Sequence, residues 1–321
     1  MKVLVTGADG FIGSHLTEML YAEGHSVRAL SQYNSFNNWG WLENIDCLNN
    51  IDVVSGDIRD KNFCNEISED IEVIFHLAAL IGIPYSYIAP DSYIETNIVG
   101  TSNICYAAMQ KGVKQVIHTS TSEVYGTAQY VPIDELHPLV GQSPYAATKR
   151  AGELICHTYS HLFGISIICL RFFTVYGPGQ RPDLAIHKFS RLMSDGESIP
   201  MFGDGSTERD YTYIGDIVDG VLRAVKWSLE NPGAFEIVNL GESETISLSR
   251  MISEIADVLQ CEPMIQTFPM QDGDVMRTYA DVSKARELLG YSPSVSFDQG
   301  IRLFADWFKA RYEVGHLERE D

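Results

Sequence analysis

The chain has 321 residues, 45% of them hydrophobic, and a formal net charge of −20 from 23 basic and 43 acidic side chains. This length allows one large core or two smaller ones, and the acidic balance argues against nucleic acid or an anionic membrane as a partner. No apolar run reaches the roughly 18 residues of a membrane span, and a strand pattern begins directly after Met1, so we expect no signal peptide.

The cysteines are scattered, with no C-x-x-C pair and no histidine at metal-ligand spacing. We therefore expect reduced, mostly packed thiols, no metal site and a cytoplasmic location. The six are Cys47, Cys64, Cys105, Cys156, Cys169 and Cys261.

The chain opens with an apolar strand pattern over Lys2–Thr6, and helical spacing runs from Phe11 to Glu23. Between them lies a G-x-x-G-x-x-G turn. Glycines at this spacing allow a tight turn, so that the helix N-terminus can hold a pyrophosphate. A strand before the turn and a helix after it are the context that supports dinucleotide binding. The predicted cofactor-binding residues here are Gly7, Gly10, Phe11, Ile12 and Gly13.

The second strand, predicted over residues 26–30, is followed by Ser31-Gln32-Tyr33. An acidic residue here would favour NAD, and an arginine would favour NADP. Neither is present, so we predict NAD and leave NADP open. The polar and aromatic stretch 34–41 that follows is either a surface loop anchored by Trp39 and Trp41 or part of the adenosine pocket.

Three further short strands rich in valine and isoleucine are predicted over 51–55, 73–77 and 115–120, with helices between them, most clearly over 92–110. Alternating strands and helices indicate a parallel sheet whose ligands lie at the carboxyl ends of the strands. Two groups of candidate cofactor-binding residues follow such ends. They are Asp57 with Ile58, and Leu77 with Ala78 and Ala79.

The stretch after the 115–120 strand carries the candidate chemistry. Tyr145 and Lys149 are four residues apart, so on a helix they share one face. An ammonium beside a phenol favours the phenolate, which allows the tyrosine to act as a general base near neutral pH. Thr121 would then position a substrate hydroxyl. A solvated Tyr-Lys pair on a helix surface would show the same spacing.

A sixth strand is predicted over 165–171, after which prolines separate shorter elements. Helices are predicted over 216–230, 248–259 and 297–312, followed by a charged, loose tail from 313 to 321. We predict an α/β fold: a Rossmann-type doubly wound parallel sheet with a smaller C-terminal α/β substrate lobe. The dinucleotide-binding domain would span 1–170, with about 212–240 returning to it, and 171–321 would be mainly the nucleotide-sugar-binding lobe.

Over nearly its whole length, the chain resembles the extended short-chain dehydrogenase/reductase family that acts on nucleotide sugars. The motifs that carry the resemblance are T-G-x-x-G-x-x-G at Thr6 to Gly13, D-I-R at Asp57 to Arg59, H-L-A-A at His76 to Ala79, Tyr145 with Lys149, Tyr176-Gly177-Pro178, and Arg209 to Ile214. The resemblance implies an NAD that stays bound while the sugar is oxidised at C4 and later reduced. Tyr145 would take the O4 proton, Lys149 would hold the nicotinamide ribose and lower the tyrosine pKa, and Thr121 would hold O4.

The resemblance also implies how the substrate, a UDP-sugar, is held. Arg209 matches the diphosphate-binding arginine of the family, and Arg277 lies near a second phosphate contact. Met201 and Phe202 match the strand that covers the base. The remaining predicted substrate contacts are Tyr85, Ser86, Thr174 and Arg181. The helices that start near Asp91 and Pro144 form a homodimer interface in this family, so we predict a homodimer.

The motifs disagree about the reaction. The first half looks like UDP-N-acetylglucosamine 4,6-dehydratases of the legionaminic-acid type, and the second half looks like UDP-glucuronate 4-epimerases. Eliminating water across C5 and C6 needs a base at C5, and Glu123 is placed for it, whereas a 4-epimerase needs none. Ser122 stands where dTDP-glucose 4,6-dehydratases have the aspartate that protonates the leaving hydroxyl, and Arg181 could hold a C6 carboxylate.

We count Glu123 and Ser122 among the catalytic candidates and expect a 4,6-dehydratase on a UDP-hexose such as UDP-N-acetylglucosamine. The alternatives are a 4-epimerase on UDP-glucuronate or UDP-glucose, a UDP-glucuronate decarboxylase, and a nucleotide-sugar binder without turnover.

Overall fold

The computed structural model describes residues 1–270 and 276–317, with side chains up to residue 312. Its strands are β1 (Lys2–Thr6), β2 (Ser26–Gln32), β3 (Asp52–Gly56), β4 (Val73–His76), β5 (Gln115–Thr121), β6 (Ser166–Phe172), β7 (Thr174–Tyr176), β8 (Ile199–Phe202), β9 (Glu208–Arg209), β10 (Tyr211–Tyr213), β11 (Phe235–Leu240), β12 (Ile246–Ser247) and β13 (Ile265–Phe268). Seven of them form one parallel sheet in the order β3-β2-β1-β4-β5-β6-β11.

The helices are α1 (Phe11–Ala22), α2 (Lys61–Ile67), α3 (Ile83–Ile88), α4 (Pro90–Tyr93), α5 (Thr101–Lys111), α6 (Pro144–Phe163), α7 (Ala185–Ser194), α8 (Ile214–Glu230), α9 (Leu248–Leu259), α10 (Ser283–Leu289) and α11 (Phe297–Leu317). Helices α1 and α8 contribute to the core on one face of the sheet, and α2, α5 and α6 to the core on the other. Strands buried on both faces explain the continuous apolar runs in the sequence. The predicted α/β doubly wound sheet is confirmed.

The second lobe is built from short strand pairs and three helices. Strand β7 pairs with β10, β8 with β13, and β9 with β12. Helices α7, α9 and α11 pack together around a third apolar cluster that includes Phe189, Ile252 and Phe304. The 212–240 segment contains α8 and β11, and β11 pairs with β6 in the large sheet. The exact division into domains stays a prediction.

Two helices differ from the sequence-based expectation. The helix predicted over 92–110 contains a π-helical stretch, Ile94–Gly100, between α4 and α5. Single π turns are frequent at functional sites. Helix α11 continues to Leu317, past the start of the predicted loose tail, and residues 318–321 lie outside the described residues. Residues 271–275 also lie outside them.

Two further expectations concern redox state and membranes. All six cysteines are free thiols, and only Cys261 is not fully buried. Within residues 1–270 and 276–317, no helix is both long enough and apolar enough to cross a bilayer. The cytoplasmic location stays a prediction.

Candidate active site

The turn between β1 and α1 has the shape that a dinucleotide needs. Gly7 has a φ of +69°, and a Cβ added there would lie 2.8 Å from the backbone nitrogen of Ala78. A Cβ on Gly13 would lie 2.0 Å from the carbonyl oxygen of Gly7. Gly10 caps α1 without a side chain, so the first amides of the helix are open to an anion. These residues fit a pyrophosphate held by backbone N–H groups.

The loops after β3 and β4 border the same edge of the sheet. The Thr6 hydroxyl accepts hydrogen bonds from the backbone nitrogens of Leu77 and Ala78, each at 3.2 Å, and so ties the end of β1 to the loop after β4. Asp57 forms a bidentate pair with Arg59, which lowers the pKa of its carboxyl. Ile58 is buried. The roles of these residues in cofactor binding stay predictions.

The catalytic candidates on β5 lie at its carboxyl end. Thr121 closes the strand and caps a short 3-10 turn, Ser122–Tyr125, because its hydroxyl accepts a hydrogen bond from the Glu123 nitrogen at 3.2 Å. Gly126 ends the turn with a φ of +69°, and a Cβ there would lie 2.0 Å from the carbonyl oxygen of Val140. The tight turn therefore fixes where the Glu123 side chain begins.

Helix α6 supplies the other two candidates. Ser143 caps its N-terminus by accepting a hydrogen bond from the Ala146 nitrogen at 3.0 Å, and Pro144 occupies the first turn. Tyr145 and Lys149 follow on the buried face. The phenol of Tyr145 hydrogen-bonds the Thr121 hydroxyl. The structure thus brings together two residues that are 24 positions apart in the sequence.

The electrostatics of Tyr145 differ from the sequence-based expectation. Burial raises the pKa of the phenol, and the charge of Glu123 raises it further, whereas the Thr121 hydrogen bond and the Arg181 charge lower it. We expected the Lys149 ammonium to be the group that lowers this pKa. The positive charge that lowers the pKa here is that of Arg181, and a contribution from Lys149 stays a prediction.

Lys149 itself is buried. Burial lowers its pKa to about 8, while Cys156, Cys169 and Glu153 act in the opposite direction. Its charge acts together with burial to lower the pKa of His76 to about 3. His118, whose ring lies 5.3 Å from that of His76, is shifted in the same direction. Tyr145 and Lys149 share a buried helix face as the spacing predicts, and the role of the ammonium at a nicotinamide ribose stays a prediction.

Glu123 lies within electrostatic reach of Tyr145, because its charge raises the pKa of the phenol. Its side chain is open to solvent, yet the surrounding protein desolvates the carboxylate enough to raise its pKa. The charge of Arg209 acts in the opposite direction. Ser122 beside it is partly exposed. A carboxylate, a phenol and a hydroxyl therefore come together at the carboxyl end of β5.

Two arginines of the second lobe lie on neighbouring strand segments. Arg209 is in β9, and Glu208 beside it pairs with Arg277 at 2.8 Å. Asp210 is buried and accepts hydrogen bonds from the backbone nitrogens of Glu242, Ser243 and Ala280, although burial still raises its pKa to about 6. Glu208 and Asp210 thus have partners of their own, and the role of Arg209 at a diphosphate stays a prediction.

The other predicted substrate contacts fall into two groups. Tyr85 is exposed and its ring lies 6.2 Å from that of Tyr93, which itself packs edge-on to Tyr145 at 6.3 Å. Arg181 forms a bidentate pair with Asp183 at 2.9 and 2.6 Å. Partly buried positions in the second lobe are held by Thr174, Met201 and Phe202.

Ser86 has a different surrounding. It is fully buried, and its hydroxyl donates to the Ile83 carbonyl oxygen at 2.7 Å. The structure therefore gives this side chain a role inside its own helix, and contact with a substrate stays a prediction.

Sequence reasoning missed a buried polar network beneath the site. The Glu153 carboxylate accepts hydrogen bonds from the Ser120 hydroxyl at 2.6 Å and from the Arg171 guanidinium at 2.8 and 2.9 Å. Arg171 also donates to the Tyr125 hydroxyl at 2.9 Å. The network joins β5, the turn that carries Glu123, and α6. The available signal was the i, i+4, i+8 spacing from Tyr145 to Glu153 and an arginine closing an apolar strand.

Asn97, in the π-helical stretch, was also missed. Its side chain accepts from the Leu80 nitrogen and donates to the Leu80 carbonyl oxygen, both at 2.9 Å, and it donates to the Thr148 hydroxyl at 3.0 Å. Asn97 thereby fixes the loop after β4 against α6, the helix that carries Tyr145.

The fold and the site together define the class: a Rossmann protein of the short-chain dehydrogenase/reductase type. The family model described as GDP-mannose 4,6 dehydratase matches residues 4–304. The chain belongs to the extended short-chain dehydrogenase/reductase family of NAD-dependent nucleotide-sugar epimerases and dehydratases.

Individual relatives cover nearly the whole chain. It is 34% identical to the UDP-glucuronate 4-epimerase of Thermodesulfobacterium geofontis, over 97% of each chain. It is similar to the structure of the Bacillus cereus UDP-glucuronic acid 4-epimerase in complex with UDP-glucuronic acid and NAD, with a TM-score of 0.90 and 34% identity over 97% of this chain and 100% of that one. A dTDP-glucose 4,6-dehydratase from Streptomyces venezuelae with NAD bound has a TM-score of 0.89 and 29% identity over 98% of each chain.

These relatives bear on two questions that the sequence left open, which are the cofactor and the reaction. Both solved enzymes hold NAD, the cofactor predicted here. Most of the named relatives are 4-epimerases, so the comparisons support the epimerase alternative better than the dehydratase that the motifs favoured.

Proposed function

We propose that the protein is an NAD-dependent UDP-sugar 4-epimerase that interconverts UDP-glucuronate and its C4 epimer. Tyr145 takes the proton from O4 and returns it, and Thr121 holds O4 through the hydroxyl that already contacts the phenol. When bound, NAD would accept the hydride from C4 and then return it to C4. The backbone amides at the start of α1 hold its pyrophosphate.

The observation that carries the choice of substrate is the position of Arg181. Its charge acts on the pKa of both Tyr145 and Tyr93, so the guanidinium lies within electrostatic reach of the group that works on O4. In a hexuronate the carboxylate carbon, C6, is bonded to C5, and C5 is bonded to C4. The carboxylate therefore lies close to O4. The pair with Asp183 uses Nε and one NH2 group, which leaves donors of the planar guanidinium for a second carboxylate.

Glu123 is compatible with this substrate despite its charge. A carboxylate beside a uronate is unfavourable when both are ionised. The raised pKa of Glu123 makes its neutral form easier to reach, and a bound uronate would raise that pKa further. A protonated Glu123 could donate a hydrogen bond to the uronate.

The second candidate function is a UDP-hexose 4,6-dehydratase. It is favoured by the same Glu123, because a carboxylate with a raised pKa at the end of the cleft is suited to removing and returning a proton at C5. Incubation with UDP-glucuronate, UDP-glucose and UDP-N-acetylglucosamine in separate reactions, followed by NMR of the products, distinguishes the two. We expect UDP-galacturonate from the first. A 4-keto-6-deoxy sugar from either of the others would establish the dehydratase, and UDP-xylose would establish a decarboxylase.

Replacing Arg181 should alter the choice of sugar. We expect Arg181→Met to lower kcat/KM for UDP-glucuronate by roughly 10–100-fold, because a charge-assisted hydrogen bond to the carboxylate is lost. Turnover of UDP-glucose, which lacks the carboxylate, should fall by less than about threefold on the same argument. The matched control is Arg191→Met on the exposed side of α7, which should change neither value. Equal losses on both sugars would assign Arg181 to general positioning.

We also propose that the protein is a homodimer formed through α5, α6 and the π-helical stretch. Apolar side chains are exposed on this face, among them Ile94, Val99 and Leu154 at 45%, 43% and 53%. Helices α5 and α6 pack side by side, so the exposed residues form one surface. A second copy would cover it.

The matched leucines of two helices test this interface. Leu154→Glu in α6 should convert a dimer to a monomer in size-exclusion chromatography with light scattering, because it places a charge in the apolar contact. Leu229→Glu in α8, on the opposite face of the sheet and also 53% exposed, should leave the dimer intact. A monomeric parent protein would refute the proposal.

A further inference from the structure

The end of β2 lacks an acidic residue, yet the structure places a carboxylate there. Asp9, in the turn after β1, reaches across to the neighbouring strand. Its Oδ2 accepts a hydrogen bond from the Gln32 backbone nitrogen at 2.9 Å and from the Ser31 hydroxyl at 3.2 Å. In Rossmann folds the carboxyl end of the second strand is where an acidic residue meets the adenosine ribose. Asp9 supplies the missing charge from the turn that follows β1.

The surroundings hold this carboxylate in place. Ser31 is fully buried, and Asp9 is only partly exposed. The Asp9 carbonyl oxygen accepts a hydrogen bond from the Trp41 nitrogen at 3.0 Å. A Cβ on Gly40, whose φ is +55°, would lie 2.7 Å from the same oxygen. The aromatic stretch 34–41 is therefore anchored on Asp9. This places the stretch beside the carboxyl end of β2, where Rossmann folds hold the adenosine ribose.

The charges around Asp9 disfavour a phosphate on the ribose. Residues 31–58 contain no lysine or arginine. Arg59, after β3, is held by Asp57 in a bidentate pair. Arg311 of α11 donates to Asn44 at 2.9 Å and lies over the Trp41 ring. A 2′-phosphate at this point would meet a fixed carboxylate, with both arginines already engaged.

We propose that Asp9 recognises the 2′-hydroxyl of the adenosine ribose and selects NAD over NADP. Two hydrogen bonds to Oδ2 leave further acceptor sites on the carboxylate for the ribose donors. Ser31 and the Gln32 backbone act as positioning groups, since their hydrogen bonds hold the Asp9 carboxylate at the carboxyl end of β2. The inference rests on the NAD cofactor of the proposed function, but it does not depend on which sugar is turned over.

The test measures binding by calorimetry on protein stripped of cofactor, with no sugar present. The parent protein should bind NAD at least about 100-fold more tightly than NADP. It should lose roughly 10–100-fold in affinity for the NAD analogue that has 2′-deoxyadenosine, which is the size expected for one hydrogen bond to a charged group. Equal affinity of the parent protein for NAD and the deoxy analogue would refute the proposal without any mutant.

Substitutions complete the cycle. Asp9→Asn should bind NAD and the deoxy analogue with affinities within about threefold, and its preference for NAD over NADP should shrink by at least about tenfold. Ser31→Ala, which keeps the charge but removes one positioning bond, should give an intermediate loss. The control is Asp46→Asn, an exposed acid that follows the same loop, which should behave as the parent. An unchanged preference in folded Asp9→Asn would assign selectivity elsewhere, and a protein that binds NAD but turns over no UDP-sugar would refute only the proposed function.

Discussion

Tyr145→Phe is expected to reduce kcat by about 10²–10⁴-fold, the usual contribution of a general acid-base group. The substitution keeps the ring that packs edge-on to Tyr93 at 6.3 Å and removes only the hydroxyl that contacts Thr121. The fold and the affinity for NAD should therefore be retained. The measurement is the initial rate of epimer formation from UDP-glucuronate, with circular dichroism and bound NAD recorded on the same sample.

A second tyrosine of the same helix provides the control. Tyr159 is partly buried, three to four turns further along α6, and its ring contacts Phe163 at 5.4 Å. Tyr159→Phe removes a hydroxyl from α6 far from the cleft, so kcat should stay within about twofold of the parent. A Tyr145→Phe variant with parental kcat would show that another group takes the O4 proton.

Arg171→Leu is expected to destabilise the protein by about 3–5 kcal/mol, because it leaves the Glu153 carboxylate buried beside a missing partner. The two side chains are 1% and 0% exposed and are joined at 2.8 Å. The measurement is the free energy of unfolding from urea titration. Arg223→Leu removes a surface pair of similar length, 2.6 Å between side chains that are 42% and 46% exposed, and should cost about 0–1 kcal/mol.

The pH dependence of this loss has a definite sign. In the parent, burial acts to raise the pKa of Glu153, but the hydrogen bonds from Arg171, Ser120 and Arg150 outweigh it and the pKa is lowered. The ionised form thus stabilises the fold above the unfolded pKa and ceases to do so as the pH falls. Without Arg171 burial raises the pKa, so the variant gains stability as Glu153 takes up a proton. The gap between the two proteins should be smaller at pH 5 than at pH 8, and a constant gap would mean that the loss comes from packing.

The fold was largely predictable because its signals are local. Short apolar strands, the glycine turn that starts at Gly7 and the spacing of Tyr145 and Lys149 each report on a few neighbouring residues. The electrostatics of the site were less predictable, because they depend on long-range geometry. Four methylenes separate the Lys149 ammonium from its backbone. The spacing of residues on a helix therefore does not give the position of the ammonium. The positive charge that lowers the pKa of Tyr145 comes from Arg181, 36 residues later in the sequence.

The site was harder to predict where one residue serves several reactions. Glu123 suits a dehydratase as a base and a uronate epimerase as a neutral acid, and only its surroundings separate the two. Asp9 occupies an unspecified position of the glycine motif, so the motif gave no reason to compare it with the end of β2. Its relation to Gln32 appears only when the two strands lie side by side.

One edge strand of the large sheet, β11, is made late. The ribosome must add 68 residues after β6 before its partner strand is complete, since β6 ends at Phe172 and β11 ends at Leu240. During that interval the outer edge of β6 is unpaired in the nascent chain. Unpaired strand edges can associate with other chains. The edge of β6 therefore stays open to association with other chains until residue 240 has emerged from the ribosome.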